Sequence, residues 1–384
     1  MFSINDLYDG QLRERKVMPM VNKTVVVVVA AVVVIAGIAG WAFLSLNQPE
    51  EKSDVRVGYL VGDLHQLARV VADNKTAFNN ISLFEKYGVN VSYPTGPLAN
   101  GGAVMDALAA KLIDVGYLGA PPAILKRLNA DNRVVIIAQV NNEGSSIIVK
   151  AGIETIHDLD QKTVATPGTS SIQHLLLLQY ASASGMNVTQ AGADLTPNTI
   201  YWTLIAPVNQ KAALETGLID GAVGWEPYGS DSTLDGTAHV LNWSDEIWPD
   251  HPCCVIVANR TFAETHQKTI ARLLKAHVEA NIWINSTLHN TGSSDYQKLL
   301  SMAEGFSLRN ESVVVNSLGH IVYTYQITSQ FRAGLKMFTQ ALIDQGLVAA
   351  SKLSERGYSS LDDFAARFAD TKYLNMTASV TPVK

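Results

Sequence analysis

Short apolar runs alternate with stretches of helical periodicity along most of this sequence, and this alternation limits the folds that it can adopt. Apolar runs at residues 55–60, 114–118 and 134–140 flank helical patterns at 101–111 and 121–128. Strands that are joined through helices pair in parallel within one sheet. The pattern therefore predicts an α/β fold.

The alternation restarts after residue 146. We interpret 147–150 and 163–166 as strands, 171–184 as a helix and 221–225 as a further strand. Residues 263–373 are mostly helical by their apolar periodicity. The sequence thus predicts a second α/β unit that is followed by a helical C-terminal region packed back on the first unit.

Two strand-like crossings, near residues 145–150 and 254–258, would join the two units. Two units that are linked by paired crossings fit a two-lobed molecule with a hinge. We expect lobe 1 to comprise residues 55–146 and 256–384, and lobe 2 to comprise residues 147–255.

An apolar segment without charges precedes this pattern at residues 25–46. As a helix it would span about 33 Å, enough to cross the hydrocarbon core of a bilayer. Basic residues precede it and Glu50 and Glu51 follow it, and positive flanks stay cytoplasmic. We expect a cytoplasmic tail at 1–24, a transmembrane helix at 25–46 and a linker at 47–54. The alternative is a signal peptide cleaved at the small residues 36–40.

Glycosylation triplets support the same orientation, with the main part of the protein outside the cell. The chain has ten Asn-x-Ser/Thr triplets, and nine follow the apolar segment. Such triplets accept N-linked glycans on exposed surfaces. They begin at Asn22, Asn74, Asn80, Asn90, Asn187, Asn242, Asn259, Asn285, Asn310 and Asn375. We therefore expect a single-pass glycoprotein of the cell membrane.

Charge and motif content argue against several function classes. A net charge of −6 gives no basic field for nucleic acid. The sequence lacks a G-x-S-x-G elbow and a C-x-x-C motif, so we expect no catalytic residue and no enzyme. His65, His174 and His251 lie on three loops without close metal-ligand spacing, so we expect neither a metal nor a cofactor.

The two cysteines, Cys253 and Cys254, are adjacent. A trans peptide holds neighbouring Cα atoms about 3.8 Å apart, below the usual disulfide range of about 4.4–6.8 Å. A disulfide between them would be strained. Two buried thiols and a vicinal disulfide both remain open interpretations.

The turn after residues 163–166 is the first candidate binding site. A Pro-Gly pair turns the chain, and Thr169, Ser170 and Ser171 open the next helix. Gly119 and Ala120 open the helix at 121–128 in a similar way. The free N–H groups of a helix start hold a sulfonate, carboxylate or phosphate without a basic side chain. We expect the anionic part of a ligand to rest on the starts at 169–171 and 119–123.

Further candidates lie on loops that follow predicted strands, where ligands of open α/β sheets bind. Several are acidic, which suits a ligand that also carries a cation, such as a zwitterion. These candidates are Asp63, His65, Glu143, Ser145, His174, Trp225 and Glu226.

Several stretches resemble the nitrate/sulfonate/taurine-type solute-binding proteins of ABC importers, which are relatives of the thiamine-pyrimidine-precursor binders. The similar stretches include VRVGYLVGDLHQLARVVA, GAVMDALAAKLIDVGYLGAPPAIL, DLDQKTVATPGTSSIQHLLL and ALETGLIDGAVGWEPY. The resemblance implies a type II periplasmic-binding-protein fold with two Rossmann-like lobes that close on a ligand. It places the candidates above, apart from Glu143, on ligand-facing loops.

We therefore expect a monomeric binding protein that captures a small anionic or zwitterionic solute and delivers it to an ABC permease and ATPase. We expect the ligand to be a sulfonate such as taurine, ahead of nitrate, bicarbonate and pyrimidine precursors. A shorter cysteine motif than that of the pyrimidine-precursor branch weakens the last assignment. A surface ligand sensor and a pyrimidine-precursor binding or synthesis protein stay as alternatives.

Overall fold

The computed structural model describes residues 53–130 and 133–383. The predicted tail, the predicted transmembrane segment and most of the predicted linker lie outside these described residues. Within the described ranges, no helix combines the length and the apolar character that a membrane span requires.

The strands in the described ranges are short and most are buried. In chain order they are β1 (Asp54–Leu60), β2 (Asn90–Ser92), β3 (Pro97–Leu98), β4 (Val115–Gly119), β5 (Val134–Gln139), β6 (Asn141–Glu143), β7 (Ser145–Val149), β8 (Thr163–Thr166), β9 (Asn187–Gln190), β10 (Thr199–Leu204), β11 (Gly221–Trp225), β12 (His239–Trp243), β13 (Cys254–Asn259) and β14 (Ile321–Tyr323).

Helices connect the strands and fill the C-terminal region, as the apolar periodicity predicts. The α-helices are Leu67–Asp73, Leu83–Lys86, Gly101–Ala109, Ala120–Asn129, Ile172–Ala183, Pro207–Glu215, Tyr228–Leu234, Ser244–Ile247, Arg260–Thr265, Gln267–Leu288, Ser294–Ser307, Glu311–Leu318, Ser329–Asp344, Ser351–Glu355, Leu361–Phe368 and Lys372–Asn375. Short 3₁₀ helices lie at Leu64–Gln66, Ile156–Leu159 and Met376–Ser379.

The first sheet has the strand order β2-β1-β4-β13-β5, and β3 pairs with the carboxyl end of β1. The pairs of β1 with β2, β3 and β4 are parallel, whereas β13 runs antiparallel to both β4 and β5. β5 is buried throughout its length because helices cover both faces of the sheet. The helix Gln267–Leu288 packs on Leu67–Asp73, and Ser329–Asp344 packs on Ala120–Asn129. The C-terminal helices therefore complete the core of this sheet.

The second sheet has the order β12-β7-β11-β8-β10-β9. β8, β9, β10 and β11 pair in parallel, and β7 runs antiparallel to β11 and β12. Two separate apolar clusters are built on its alternating residues. Ile147 and Val223 belong to one cluster, and Ile148 and Ala222 belong to the other. Both faces of this sheet are therefore packed.

The chain passes between the sheets twice. β7 lies wholly in the second sheet and begins at Ser145, and β13 lies wholly in the first and begins at Cys254. The connecting segments are thus β6 with Gly144, and the stretch between β12 and β13. β14 pairs with β6, so the C-terminal region also contacts the first connection. The lobe limits at 146/147 and 255/256 stay predictions.

Candidate ligand-binding site

A cavity of about 210 Å³ lies where strand ends of both sheets meet. Residues at or just after the carboxyl ends of β1, β4, β8, β10 and β11 line it, together with the start of β13. Ligands of open α/β sheets bind in such crevices. The lining residues are Leu60, Asp63, His65, Asn100, Gly101, Gly102, Gly119, Pro122, Pro167, Gly168, Thr169, Ser170, Ser171, Ile172, Gln173, Leu204, Trp225, Cys253 and Cys254.

The cavity brings together most of the candidates that the sequence indicates. Seven of them line it: Asp63, His65, Gly119, Thr169, Ser170, Ser171 and Trp225. Five others are absent from its lining: Ala120, Glu143, Ser145, His174 and Glu226. Each residue of the second group has hydrogen-bond partners of its own in the structure.

The helix start after β8 has the geometry that its Ser/Thr content predicts. Ser171 is the N-cap of Ile172–Ala183, where its Oγ accepts a hydrogen bond from the His174 backbone N–H at 3.0 Å. The same hydroxyl donates to the Gly168 carbonyl at 2.7 Å. The first-turn N–H groups of a helix have no acceptor within that helix. Because Ile172 and Gln173 line the cavity, the positive end of this helix adjoins it.

The second predicted helix start does not supply amides, and that expectation is wrong. The backbone N–H of Ala120 donates to the Cys253 carbonyl at 3.1 Å. Pro121 and Pro122 follow it, and proline has no N–H. The segment 119–123 therefore contributes shape to the cavity, with Gly119 and Pro122 in the lining, and little hydrogen-bonding capacity.

The start of a different helix, Gly101–Ala109, lies at the cavity, and both Gly101 and Gly102 line it. Asn100 is the N-cap, with its Oδ1 accepting from the Ala103 N–H at 3.0 Å. The sequence predicts this helix but not its role at the site. The Asn-Gly-Gly cap was the available signal, since Asn favours the N-cap and glycine permits close approach.

Trp225 supplies a polar side-chain group to the cavity. The residue is 4% exposed, and its indole Nε1 has no hydrogen-bond partner among the described residues. Gln173 also lines the cavity, and its Nε2 donates to the Ser145 hydroxyl at 2.9 Å. Ser145 thus orients a lining residue without lining the cavity itself.

The ionisable side chains in the cavity lining are Asp63, His65, Cys253 and Cys254. Among the described residues no Lys or Arg lines it. Asp63 is fully buried, and its two carboxylate oxygens accept from the His65 N–H at 3.1 Å and from Gln66 Nε2 at 3.0 Å. Burial raises the pKa of Asp63 to about 6. An anion in this cavity would therefore meet N–H groups, helix dipoles and the His65 ring rather than the side chain of a Lys or Arg.

His65 lies between Gly144 and the two cysteines. Its Nε2 is 2.7 Å from the Gly144 carbonyl oxygen, and its Nδ1 is 3.5 Å from Cys253 Sγ. Burial lowers the pKa of His65, but the charges of Cys253 and Asp63 outweigh this effect and raise it to about 9. Burial also opposes ionisation of Cys253, but hydrogen bonding from Cys254 and the charge of His65 lower the pKa of the Cys253 thiol.

Both cysteines line the cavity as free thiols. Sequence patterns do not place the two cysteines in the site, because Cys253 and His65 are 188 residues apart and only the register of β13 brings them together. The Cys254 thiol has its pKa raised, by its hydrogen bond to Cys253 and by burial.

The other predicted residues have identifiable structural partners. His174 packs edge-on against Trp202 and lies 3.2 Å from Thr166 Oγ1, and burial lowers its pKa to about 4. Glu226 accepts a hydrogen bond from the Ser317 hydroxyl at 2.7 Å, and burial raises its pKa.

Glu143 and His251 stabilise the connection between the sheets. Glu143 accepts from the Asp250 backbone N–H at 2.6 Å, and it has a positive φ of 59°. His251 is buried with its Nδ1 3.1 Å from the Pro252 carbonyl, and its own carbonyl accepts from the Glu143 backbone N–H at 3.1 Å. Both residues therefore hold the segment that precedes β13 against β6.

The two α/β sheets with a cavity at their strand ends have an α/β periplasmic-binding-protein fold. The chain belongs to the NMT1-like family, whose model matches residues 48–295. An aliphatic sulfonates-binding protein of Escherichia coli (strain K12) is 25% identical over 253 residues, which are 64% of this chain and 72% of that protein.

Two solved structures show the same fold. The nitrate-binding protein NrtA of Synechocystis PCC 6803 superposes with a TM-score of 0.67 at 15% identity, covering 87% of this chain and 90% of NrtA. The alkanesulfonate-binding protein SsuA of Xanthomonas axonopodis pv. citri, bound to MOPS, gives a TM-score of 0.64 at 19% identity, covering 78% of this chain and 96% of SsuA. These proteins are solute-binding proteins of the sulfonate and nitrate type.

Proposed function

We propose that this chain is the extracytoplasmic solute-binding protein of an ABC importer and that it captures a small sulfonate without chemical change. One observation carries the proposal: the cavity adjoins the N-terminal ends of two helices, Gly101–Ala109 and Ile172–Ala183. Helix starts bind anions through free N–H groups. The similarity to sulfonate-binding relatives supports the same class of ligand.

The cavity favours a short solute that carries both charges. Its volume of about 210 Å³ is below the roughly 300–1,000 Å³ of sites for drug-sized ligands. Among the described residues that line the cavity, Asp63 is the only one with a carboxylate. A sulfonate on the helix starts with an ammonium group near Asp63 satisfies both features, so taurine is the leading ligand. Nitrate and bicarbonate would use the helix starts alone.

Capture would proceed by lobe closure in a type II periplasmic-binding-protein fold. The lining residues belong to both sheets, so a ligand in the cavity contacts both halves. Closure about the two connecting segments would exclude water and strengthen the hydrogen bonds to the anion. The closed, liganded form would then dock on the permease.

We further propose that the segment at 25–46 anchors the monomer in the membrane with the cavity outside the cell. The nine triplet asparagines within the described residues are all at least partly exposed, as glycan acceptors must be. Protease treatment of intact cells tests this orientation. Digestion of residues beyond 54 with survival of the N-terminal tail would support it, and full protection of the chain would contradict it.

Isothermal titration of the purified full-length protein tests the ligand class. Taurine, ethanesulfonate, nitrate and bicarbonate form the panel, and we expect a sulfonate to bind most tightly. Trp225→Phe keeps the ring and removes its N–H, so it should weaken sulfonate binding about 10-fold or more, the effect of one hydrogen bond to a charged group.

Trp283→Phe is the matched control, because Trp283 packs on Phe78 away from the cavity lining. It should bind sulfonate as the unchanged protein does. Absence of binding to the whole panel, or turnover of another compound by the purified chain, would defeat the proposal.

A further inference from the structure

Three potential metal ligands converge at the cavity. His65 Nδ1 lies 3.5 Å from Cys253 Sγ and 3.8 Å from Cys254 Sγ. Within the described part of the chain, the ligand atoms of this trio all lie within 4.8 Å of one another. The three residues are 1–3% exposed, and each lines the cavity. The ligand atoms of the three residues therefore surround one buried position beside the cavity.

The hydrogen bond of His65 fixes which ring nitrogen is available. Nε2 lies 2.7 Å from the Gly144 carbonyl oxygen, which can only accept, so Nε2 must carry a proton. Nδ1 is the nitrogen nearest both sulfurs and also lies 3.4 Å from Asp63 Oδ1, so it is the atom that would bind a cation, in exchange for any proton that it carries. A ligating histidine whose other N–H donates to a backbone carbonyl is the usual arrangement around a bound metal.

Backbone contacts hold the two thiols in place. Cys253 N–H donates to the Asn141 carbonyl at 3.1 Å, and Cys254 N–H donates to Asn141 Oδ1 at 3.0 Å. Cys254 is the first residue of β13, while Cys253 precedes the strand. Strand alternation therefore does not force the two side chains to opposite faces, and both reach the cavity.

The spacing matches a tetrahedral site. Zinc bonds of about 2.3 Å to sulfur and about 2.0 Å to nitrogen, at tetrahedral angles, place sulfur and nitrogen about 3.5 Å apart. The two observed sulfur–nitrogen distances are 3.5 and 3.8 Å. Thiolate and imidazole ligands select soft or borderline cations over Mg²⁺ and Ca²⁺.

We propose that His65, Cys253 and Cys254 form a binding site for a Zn²⁺-class cation in the cavity wall. Three protein ligands leave a fourth position, as in zinc sites that accept an exogenous ligand. Because all three residues line the cavity, the fourth position opens into it. A water molecule or a donor atom of the solute completes the coordination, and this last statement alone rests on the proposed sulfonate-binding function.

The test uses full-length protein that is reduced with a phosphine, treated with a chelator and desalted. We expect one Co²⁺ per chain, with the sulfur-to-cobalt charge-transfer and ligand-field absorption of a tetrahedral thiolate site, displaced by one equivalent of Zn²⁺. Mg²⁺ should not displace it. Because these spectra come from the unchanged protein, the result does not depend on the folding of any variant.

Variants identify the ligands. Cys253→Ser, Cys254→Ser and His65→Gln should each weaken Zn²⁺ binding by about 100-fold or more, beyond the roughly 10–100-fold effect of losing an outer partner. His174→Gln is the control, because His174 is buried but absent from the cavity lining, and it should bind Zn²⁺ normally.

Two results would overturn the site. One is fully reduced protein that shows no thiolate–cobalt absorption at one equivalent of Co²⁺. The other is a disulfide between Cys253 and Cys254 that persists in protein isolated from its native membrane. Sulfonate titration of the chelated protein separates the two proposals, since sulfonate binding without cation binding would reject the metal site alone.

Discussion

Gly144 is a single residue through which the backbone controls the position of His65. Its φ is +84°, which favours glycine, and its carbonyl oxygen accepts from the His65 ring. A Cβ at this position would collide with the imidazole and would lie 2.8 Å from Ile321 Cγ1. The absence of a side chain is therefore a condition for the histidine to sit where it does.

Gly144→Ala should destabilise the protein by about 2–4 kcal/mol, combining a positive-φ cost with an overpacking cost. Gly152→Ala is a matched control, because Gly152 has a φ of +87° but nothing within 4 Å of its would-be Cβ. That variant should lose only about 1 kcal/mol. Urea unfolding followed by circular dichroism measures both, and equal losses would contradict the steric explanation.

Side-chain chemistry in loops was predictable from sequence where it depended on neighbours in the chain. Ser171 caps its helix as its position between a turn and an apolar run indicates. The role of Ala120 was not predictable, because its amide donates to the carbonyl of Cys253, the residue just before β13 and far along the chain. Local patterns reveal caps, while competition for a backbone amide depends on tertiary contacts.

At the scale of elements, the cap of the helix Ile172–Ala183 is expected to contribute both to stability and to the proposed sulfonate binding. Ser171→Ala removes the hydrogen bond to the His174 N–H, which should cost about 1 kcal/mol of stability and weaken sulfonate binding, because the first turn frays at the cavity.

Ser293→Ala separates these two effects. Ser293 caps Ser294–Ser307 by accepting from the Tyr296 N–H at 3.1 Å, and that helix contributes no residue to the cavity lining. The variant should lose similar stability and keep its sulfonate affinity in calorimetry. If both variants bound equally well, the helix start after β8 would have no role in binding.

His277, in the helix Gln267–Leu288, gives this element a pH dependence. The residue is fully buried beside Tyr117, and burial lowers its pKa to about 4 from its ordinary 6.5. The folded protein therefore binds this proton less readily than the unfolded chain. Keeping His277 neutral therefore costs the folded state no stability above about pH 6.5. As the pH falls from there towards 4, the free energy of unfolding decreases, because the unfolded chain gains a proton that the folded protein does not bind.

His277→Gln removes this titration. Between pH 7.5 and 4.5 the unchanged protein should lose about 2–3 kcal/mol more stability than the variant does, following 1.36 kcal/mol per pKa unit. Urea unfolding at both pH values measures the difference. Parallel pH profiles would show that the histidine is not buried in its neutral form.

Strands differ in how clearly the sequence reveals them. β5 contains the apolar run 134–138, and the strand predicted at 134–140 ends within one residue of the observed strand. β9 escaped prediction, because three of its four residues are exposed and its side chains show no apolar alternation. A buried central strand shows in the sequence as a run of apolar residues. An edge strand such as β9 has no such run, and it depends on hydrogen bonding to β10.

For the whole molecule, the two segments that connect the sheets are where the proposed lobe closure would bend the chain. If the lobes close on the solute, small-angle scattering should show a smaller radius of gyration with saturating taurine than without it. Trp225→Phe at the same ligand concentration should show a smaller change, because its occupancy is lower. An unchanged radius at proven saturation would contradict hinge closure.

The overall architecture followed from sequence because alternating strands and helices leave few arrangements of a parallel sheet. The site followed only in part. His65 and Cys253 belong to opposite ends of the first-sheet sequence, and β13 enters that sheet between β4 and β5. A long-range strand insertion of this kind has no local sequence signal, so the thiol–imidazole cluster emerges only from the three-dimensional structure.

The cavity lining within the described residues has no lysine or arginine, and this bears on the medium in which the protein can work. Dissolved ions weaken attraction between exposed charges, with a Debye length of about 3 Å at 1 M salt, but they hardly reach enclosed amide dipoles. A sulfonate held by such dipoles would stay bound in brine as well as in fresh water. The affinity of the cavity for an anion is therefore expected to depend only weakly on ionic strength.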